Sequence, residues 1–290
     1  MSPVALIEQH KGHVPVHRLC TLLGMSRSGY YAARARPPST RAQVDERLVV
    51  DIRAIHRRYR RRYGSPRMTK ELQALGHQVG RHRIARVMKQ KNLAARPRRR
   101  FVTTTVRDTS ATPAPNRLGR NFHAEAPNRA WVGDLTYIPT LEGWLFLAVL
   151  LDLHSRRVVG WATSASLKKD VALQALRRAL NARKPNAGLI HHTDRGCQYT
   201  SKAYQALLQK HGVTVSMSRA GDCFDNAVAE SFFGTLKHEL ERRTFASRAE
   251  AHQAIAHYID GFYNPVRRHS TLGYLSPMDF EHLALIDQAA

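Results

Sequence analysis

Cysteine is scarce in this sequence: the chain holds three, Cys20, Cys197 and Cys223, far apart and without a CxxC pair. That argues against a disulfide framework and a zinc finger, and it fits a reducing, cytoplasmic setting. Long apolar runs are missing too. No stretch of about 18 apolar residues occurs, so no membrane contact is expected. The opening MSPVALIEQHKGHVPVHR lacks the charged-then-apolar layout of a signal peptide. Acids are the third shortage, with 22 Asp and Glu against 46 Lys and Arg for a net charge of +24. Such an excess calls for a polyanionic partner, of which nucleic acid is the commonest. What is present is enough for a core, since 43% of the 290 residues are hydrophobic.

The positive charge sits at one end. Residues 1–120 carry 27 Lys and Arg against 6 acids, while residues 121–290 carry 19 against 16. The first part therefore reads as an electrostatic handle for DNA. Within 1–60, HRLCTLLGMSRSGYY at 17–31 has a short apolar helix, Gly24 as a turn and Ser26 as N-cap of a second helix. That is a helix-turn-helix layout, or an ordinary helical hairpin. After the break ARPPST, a long helix is expected over Gln43–Tyr59, with Leu48, Val49, Ile52 and Ile55 on one face. A second helix-turn-helix is expected over 61–95, either side of Gly76–Gly80, where Arg81, Arg83 and Arg86 interleave with Ile84, Val87 and Met88. The arginines are expected on DNA; a solvated basic face is the plainer alternative. Residues 96–120 lack periodicity and read as a basic linker, at least partly disordered when free, with Arg96, Arg98, Arg99 and Arg100 available to a phosphate backbone.

From Asn128 the texture changes to strands. Ala130–Pro139, Trp144–Leu151 and Arg157–Trp161 read as an antiparallel meander, followed by a helix over Asp170–Arg183. A strand at Gly188–His192, a helix across Ser201–His211 and a strand at Val213–Met217 come next. That order predicts a ribonuclease-H-like α/β core over 121–285: a mixed five-stranded sheet flanked by helices, preceded by an all-α region. The fold alone allows several chemistries.

Three acids narrow the choice. Asp134 lies mid-strand between apolar neighbours, a costly place for a charge. Asp194 follows a strand end, where functional side chains collect. Glu230 sits in SRAGDCFDNAVAESFFGTLK, 218–237, on an expected helix with Lys237 two turns further along. The strand order would put Asp134 beside Asp194, with Glu230 swung across them. Carboxylates so placed repel unless cations lie between, and hard oxygen donors suit magnesium or manganese. Two ions about 4 Å apart would serve phosphoryl transfer on DNA. With 22 acids, a chance triple is the competing explanation.

The blocks WVGDLTYI (131–138), LDLHSRRVVGW (151–161), HHTDRGCQYTS (191–201), SRAGDCFDNAVAESFFGTLKHE (218–239) and YNPVRRHSTLGYLSP (263–277) closely resemble the integrase core of insertion-sequence transposases of the IS-three group. YGSPRMTKEL and HRIARVM resemble the helix-turn-helix segment that precedes that core. The resemblance implies an Asp-Asp-Glu triad with 35 residues between the second Asp and the Glu, as between Asp194 and Glu230. It further implies two Mg²⁺ or Mn²⁺ ions on Asp134, Asp194 and Glu230, and Lys237 on DNA near the element's end. Tyr263, Arg267, Arg268 and His269 fall in the C-terminal block and are expected on DNA or bracing the site. The implied reaction is nicking at the element's 3′ end followed by strand transfer, on transposon-end and target DNA, by a homo-oligomer. In this group the catalytic chain is commonly the second of two overlapping frames. No sustained heptad repeat occurs in the first 60 residues, so the upstream product is an expected partner.

Asp152 is expected to structure its turn with Ser155 and Arg156, Asp222 and Asp225 to cap the following helix, and His191 and His192 to pack at a strand end. A structure-specific nuclease of the same fold and a non-catalytic DNA-binding repressor are the alternative functions. The first does not need two basic modules, and the second leaves the acids unexplained.

Overall fold

The computed structural model describes residues 2–96, 114–166, 170–218, 226–240 and 244–289. Arg98, Arg99, Arg100, Asp222, Cys223 and Asp225 lie outside the described residues. The chain divides into two compact units, Met1–Ala95 and Arg96–Ala290.

The first unit is helical. Helices α1 (Pro3–His10), α2 (Val16–Leu22) and α3 (Arg27–Ala35) enclose a small core of Ile7, Cys20 and Tyr30. The turn between α2 and α3 follows the sequence reading. Gly24 takes φ +62°, and the Ser26 hydroxyl accepts from the Gly29 N–H at 3.0 Å, satisfying a donor that the first turn of α3 leaves open. Helix α4 (Thr40–Arg58) starts three residues before Gln43, because Ser39 caps it through the Ala42 N–H. Helices α5 (Ser65–Ala74) and α6 (Arg81–Gln90) pack on α4 and on each other. Leu48, Val49, Ile52 and Ile55 meet Met68, Leu72, Ile84, Val87 and Met88 in that interior. Truncating a fully buried leucine such as Leu72 to alanine costs about 2–5 kcal/mol.

The second unit holds the sheet, in the order β3-β2-β1-β4-β5. Its strands are β1 (Ala130–Thr140), β2 (Gly143–Asp152), β3 (Val158–Ser164), β4 (Ile190–Thr193) and β5 (Thr214–Met217). The meander β1–β2–β3 is antiparallel, while β4 runs parallel to both β1 and β5. Helix α7 (Asp170–Arg183) covers β2 and β3 through Val171, Leu176 and Leu180. It comes close because position 160 is glycine: a Cβ there would stand 2.4 Å from the Ala175 carbonyl oxygen. Helices α8 (Cys197–Thr200) and α9 (Lys202–Lys210) bring Tyr199, Tyr204 and Leu208 into the same core. Helix α10 (Ala227–Glu239) packs on β1 and β2, as does α11 (Arg248–Tyr258). A π-helical turn at Ile259–Tyr263 and a 3₁₀ turn at Ser270–Leu272 lead to α12 (Pro277–Ala289).

One boundary differs from the expected linker over 96–120. Leu118 is buried, and the Arg117 and Leu118 N–H groups donate to the Ser216 hydroxyl on β5 at 2.9 and 3.2 Å. These backbone groups find partners on the sheet's edge, so the core begins before residue 121. No helix among the described residues is long and apolar enough to cross a membrane.

Candidate active site

Strand register builds the site. Parallel pairing of β1 with β4 matches Ala130 to Ile190, Trp131 to His191 and Val132 to His192. Continuing that register two positions brings Asp134 level with Asp194, just where β4 has ended and β1 runs on. Neighbouring strands lie about 4.8 Å apart, so the two carboxylates share one opening. Helix α10 delivers the third acid. Its first residue is preceded by Asn226, a buried side chain whose Nδ2 donates to the Gly133 carbonyl at 3.4 Å, one residue before Asp134. Glu230 lies one turn further along α10.

All three acids are half-buried and carry raised pKa values. Burial is the leading cause for each. At Asp134 the charge of Asp194 adds to it and that of Glu230 contributes too, while the Leu135 N–H, donating at 2.7 Å, and Lys237 pull the other way. Asp194 accepts from the Gly196 N–H at 3.0 Å, a bond that orients one oxygen of its carboxylate. A hard divalent cation fits this set, because it would remove the mutual repulsion that raises Asp134 and would find only oxygen donors. Among the described residues no three His, Cys, Asp or Glu side chains stand close enough to hold one ion together.

Lys237 is half-buried two turns beyond Glu230, and burial lowers its pKa against the pull of Asp134. Its Nζ stands 4.9 Å from the centroid of the Tyr137 ring. Tyr199 lies beneath the acids: its hydroxyl is buried without a hydrogen-bond partner among the described residues, and after burial the charges of Asp134 and Asp194 raise its pKa furthest. His191 is buried with Nε2 on the Tyr204 hydroxyl at 2.8 Å, and burial holds its pKa at about 3. It sits under Gly133, where a Cβ would come within 2.8 Å of the imidazole. His192 bonds Ser216 and Ser218. Both histidines are thus taken up inside the core.

Other expected positions divide. Asp152 is fully buried and its oxygens are occupied by the Asn128 N–H, the Trp131 indole N–H and the His154 N–H at 2.7, 3.2 and 2.8 Å. Of the two places expected for Arg267, on DNA or bracing the site, its contacts are those of a brace. It is 2% exposed, with Nε and Nη2 donating to Glu239 at 2.9 and 2.7 Å. A guanidinium sealed on a buried carboxylate has no face left for phosphate. Since Glu239 ends α10, this pair and the Tyr258 hydroxyl on the same carboxylate brace the helix that carries Glu230 and Lys237. Arg268 is half-buried and donates to the Tyr274 carbonyl at 3.0 Å.

In the first unit, Arg83 and Arg86 both reach Asp45 of α4, at 2.7 and 2.6 Å, and stay partly exposed. They join α6 to α4. Arg81, at the start of α6, is exposed. Sequence reasoning missed Asn226, Tyr137 and Tyr199, although all three fall inside the quoted blocks.

Comparison with known proteins adds the following. Residues 124–223 and 211–277 match models described as integrase core domain, and residues 43–101 match one described as HTH-like domain. The chain is 45% identical over 263 residues to the insertion element IS600 uncharacterized 31 kDa protein of Shigella sonnei, covering 90% of this chain and 97% of that one. It is 40% identical over 279 residues to the transposase InsF for insertion sequence IS3A of Escherichia coli strain K12, covering 95% and 97%. Among solved structures, the HTLV-2 integrase catalytic core domain in complex with magnesium shares 16% identity at a TM-score of 0.42, covering 55% of this chain and 99% of that one. A chain of the simian T-cell lymphotropic virus intasome in complex with PP2A regulatory subunit B56 gamma shares 14% at 0.47, covering 76% of this chain and 71% of that one.

Proposed function

The chain belongs to the IS3-family insertion-sequence transposases, and from that premise we propose that it cuts the 3′ end of its element and joins the freed end to a second phosphodiester, with Asp134, Asp194 and Glu230 as the catalytic set. The observation that carries the reading is that three half-buried acids lie close enough for the charges of Asp194 and Glu230 to act on Asp134, with no basic side chain among the described residues hydrogen-bonded to their carboxylates. Protein stability gains nothing from such an arrangement, whereas a cation site requires it.

The three carboxylates would hold one or two Mg²⁺ or Mn²⁺ ions, which when bound supply charge neutralisation at the reacting phosphate and activation of the attacking hydroxyl. The protein's own groups do the positioning. The β1–β4 register fixes Asp134 against Asp194; Asn226 and the Glu239–Arg267 pair set the two ends of α10, and so the reach of Glu230. Lys237 holds a phosphate beside the reacting one. In the first step water displaces the 3′ oxygen from phosphorus and leaves a 3′-OH. That hydroxyl then forms a new P–O bond at the second phosphodiester, whose own 3′ oxygen departs with a proton. The basic first unit supplies DNA affinity, with Arg81, Arg83, Arg86 and Arg98–Arg100 as the arginines proposed for the backbone. A homo-oligomer on the DNA would bring two ends together, and the upstream-frame product remains the proposed helper.

The test is an assay of cleavage and joining on DNA from the sequences bracketing the gene. Asp134→Asn, Asp194→Asn and Glu230→Gln should each abolish both steps and leave DNA binding intact; strand transfer by any of them would sink the assignment.

A further inference from the structure

The geometry points to a nucleotide subsite beyond the carboxylates, formed by Lys237, Tyr137 and Trp144, in which the ammonium takes a backbone phosphate and the Trp144 indole stacks on an unpaired base. It rests on the reading that DNA lies against Asp134, Asp194 and Glu230.

Two elements run out from the acids in step. Tyr137 is three residues beyond Asp134 on β1, about 10 Å at strand rise. Lys237 is seven residues beyond Glu230 on α10, about 10 Å at helical rise. They meet there, with Nζ 4.9 Å from the Tyr137 ring centroid. Trp144, which faces Pro139 across the β1–β2 pairing, packs edge-on to Tyr137 with centroids 4.7 Å apart and an interplanar angle of 71°. Strand alternation puts Tyr137 and Trp144 on the opposite face of β1 from Asp134, and Lys237, which sits over the Tyr137 ring and whose charge acts on Asp134, links the two across the strand's edge.

Trp144 is 50% exposed. The other tryptophans are engaged elsewhere: Trp131 is sealed in the core, and half-buried Trp161 donates to Asp260 beneath Arg178. Nor is Trp144 displayed on a loose loop. Arg248 Nε donates to the Trp144 carbonyl at 3.1 Å and the Arg248 N–H to Glu142 at 2.9 Å. Thr140 Oγ1 donates to the Gly143 carbonyl at 2.6 Å, and Gly143 takes φ +100° to close the turn. Leu141 on the same turn is 80% exposed. A large aromatic held rigid at the rim, with a cation one ring away, matches how unpaired nucleotides are bound: the base stacks while the phosphate is neutralised. A paired duplex offers no base face at this point, so the occupant is a strand opened at or near the DNA end.

Fluorescence titration of the full chain carrying Trp161→Phe tests this, because Trp144 is then its one exposed indole. The probes are an oligo-dT single strand and a hairpin duplex of equal charge. Divalent cation is left out, so failure of strand cleavage, which would count against the reading of the carboxylates, leaves the quenching result standing. Oligo-dT should quench the emission strongly and the hairpin weakly. Trp144→Ala should weaken oligo-dT binding about fivefold or more without changing hairpin binding or the salt slope, and Trp144→Phe should restore most of the affinity. Lys237→Gln should lower the salt slope by about 0.7. Unquenched emission, or unchanged oligo-dT affinity in Trp144→Ala, would overturn the subsite. So would a Trp144→Ala chain that loses self-association while its affinity for oligo-dT stays the same, since the face would then be a protein contact.

Discussion

Asp134 and Asp152 lie on neighbouring antiparallel strands, both withdrawn from water, and they differ in what meets their oxygens. Asp152 receives three N–H donors and has Arg183 at 3.7 Å; Arg183 in turn reaches Glu281, which also accepts from Ser155 and Arg157. Asp134 receives one backbone N–H and faces Asp194 and Glu230. The first acid is part of a satisfied network that locks the end of β2 to α7 and α12. The second belongs to a cluster left in electrostatic debt. Buried acids with complete partners describe how the fold is held, and buried acids without them describe what the fold is for.

The largest break in that comparison is catalytic. Asp134→Asn, Asp194→Asn or Glu230→Gln should lower joining by at least about a thousandfold, several kcal/mol of transition-state stabilisation, as read on gels of end-containing DNA. Next comes the bracing pair. Arg267→Met or Glu239→Gln leaves a buried charge unpaired and should cost about 3–5 kcal/mol in denaturant unfolding. Asp152→Asn should cost about 1–3 kcal/mol through lost acceptors, while retaining measurable joining.

A smaller effect sharpens the contrast through pH. A carboxyl whose folded pKa is raised binds its proton more tightly in the native state. Its favourable contribution is therefore present below the unfolded pKa and lost as pH rises through the folded one. Asp134, Asp194 and Glu230 behave this way, so without divalent cation their ionisation destabilises the fold at neutral pH. Asp134→Asn should then raise the cation-free melting temperature by a few degrees, and added Mg²⁺ should stabilise the wild type more than the variant. Glu281 has the opposite sign: its pKa is lowered despite burial, first by Arg183 and then by Ser155, so its contribution holds above the unfolded pKa and fades as pH falls through the folded one. The smallest expected effect is in the first unit. Asp45→Asn releases Arg83 and Arg86 and should cost up to about 1 kcal/mol, since these ion pairs are partly exposed.

Much of this was legible in the chain itself, and the reasons are local. The alternation around Asp134, the apolar run of β2 and the turn residues between strands announce the meander, and its order places β4 beside β1. Ser26 as a cap and Gly24 as a turn are read from neighbours within three residues. The convergence of Asp134 with Asp194 follows from topology, before any coordinate is known. What escaped depends on contacts that sequence spacing does not encode. Arg267 meets Glu239 across 28 positions and Arg83 meets Asp45 across 38, ion pairs that no local pattern announces. Leu118 looks like linker because its partner, Ser216, lies 98 positions away. Tyr137 alternates out of the strand like any half-buried residue, and its importance emerges only once α10 lays Lys237 across it.

The central claim, that the unsatisfied acids are a cation-dependent strand-joining centre, is tested most directly by one gel: wild type and Glu230→Gln on DNA carrying the element's ends, with and without Mg²⁺. Joined strands from the wild type only when Mg²⁺ is added, and none from Glu230→Gln although it still retards the DNA, is the predicted result. Joined strands from Glu230→Gln, or from the wild type in chelator, would contradict it.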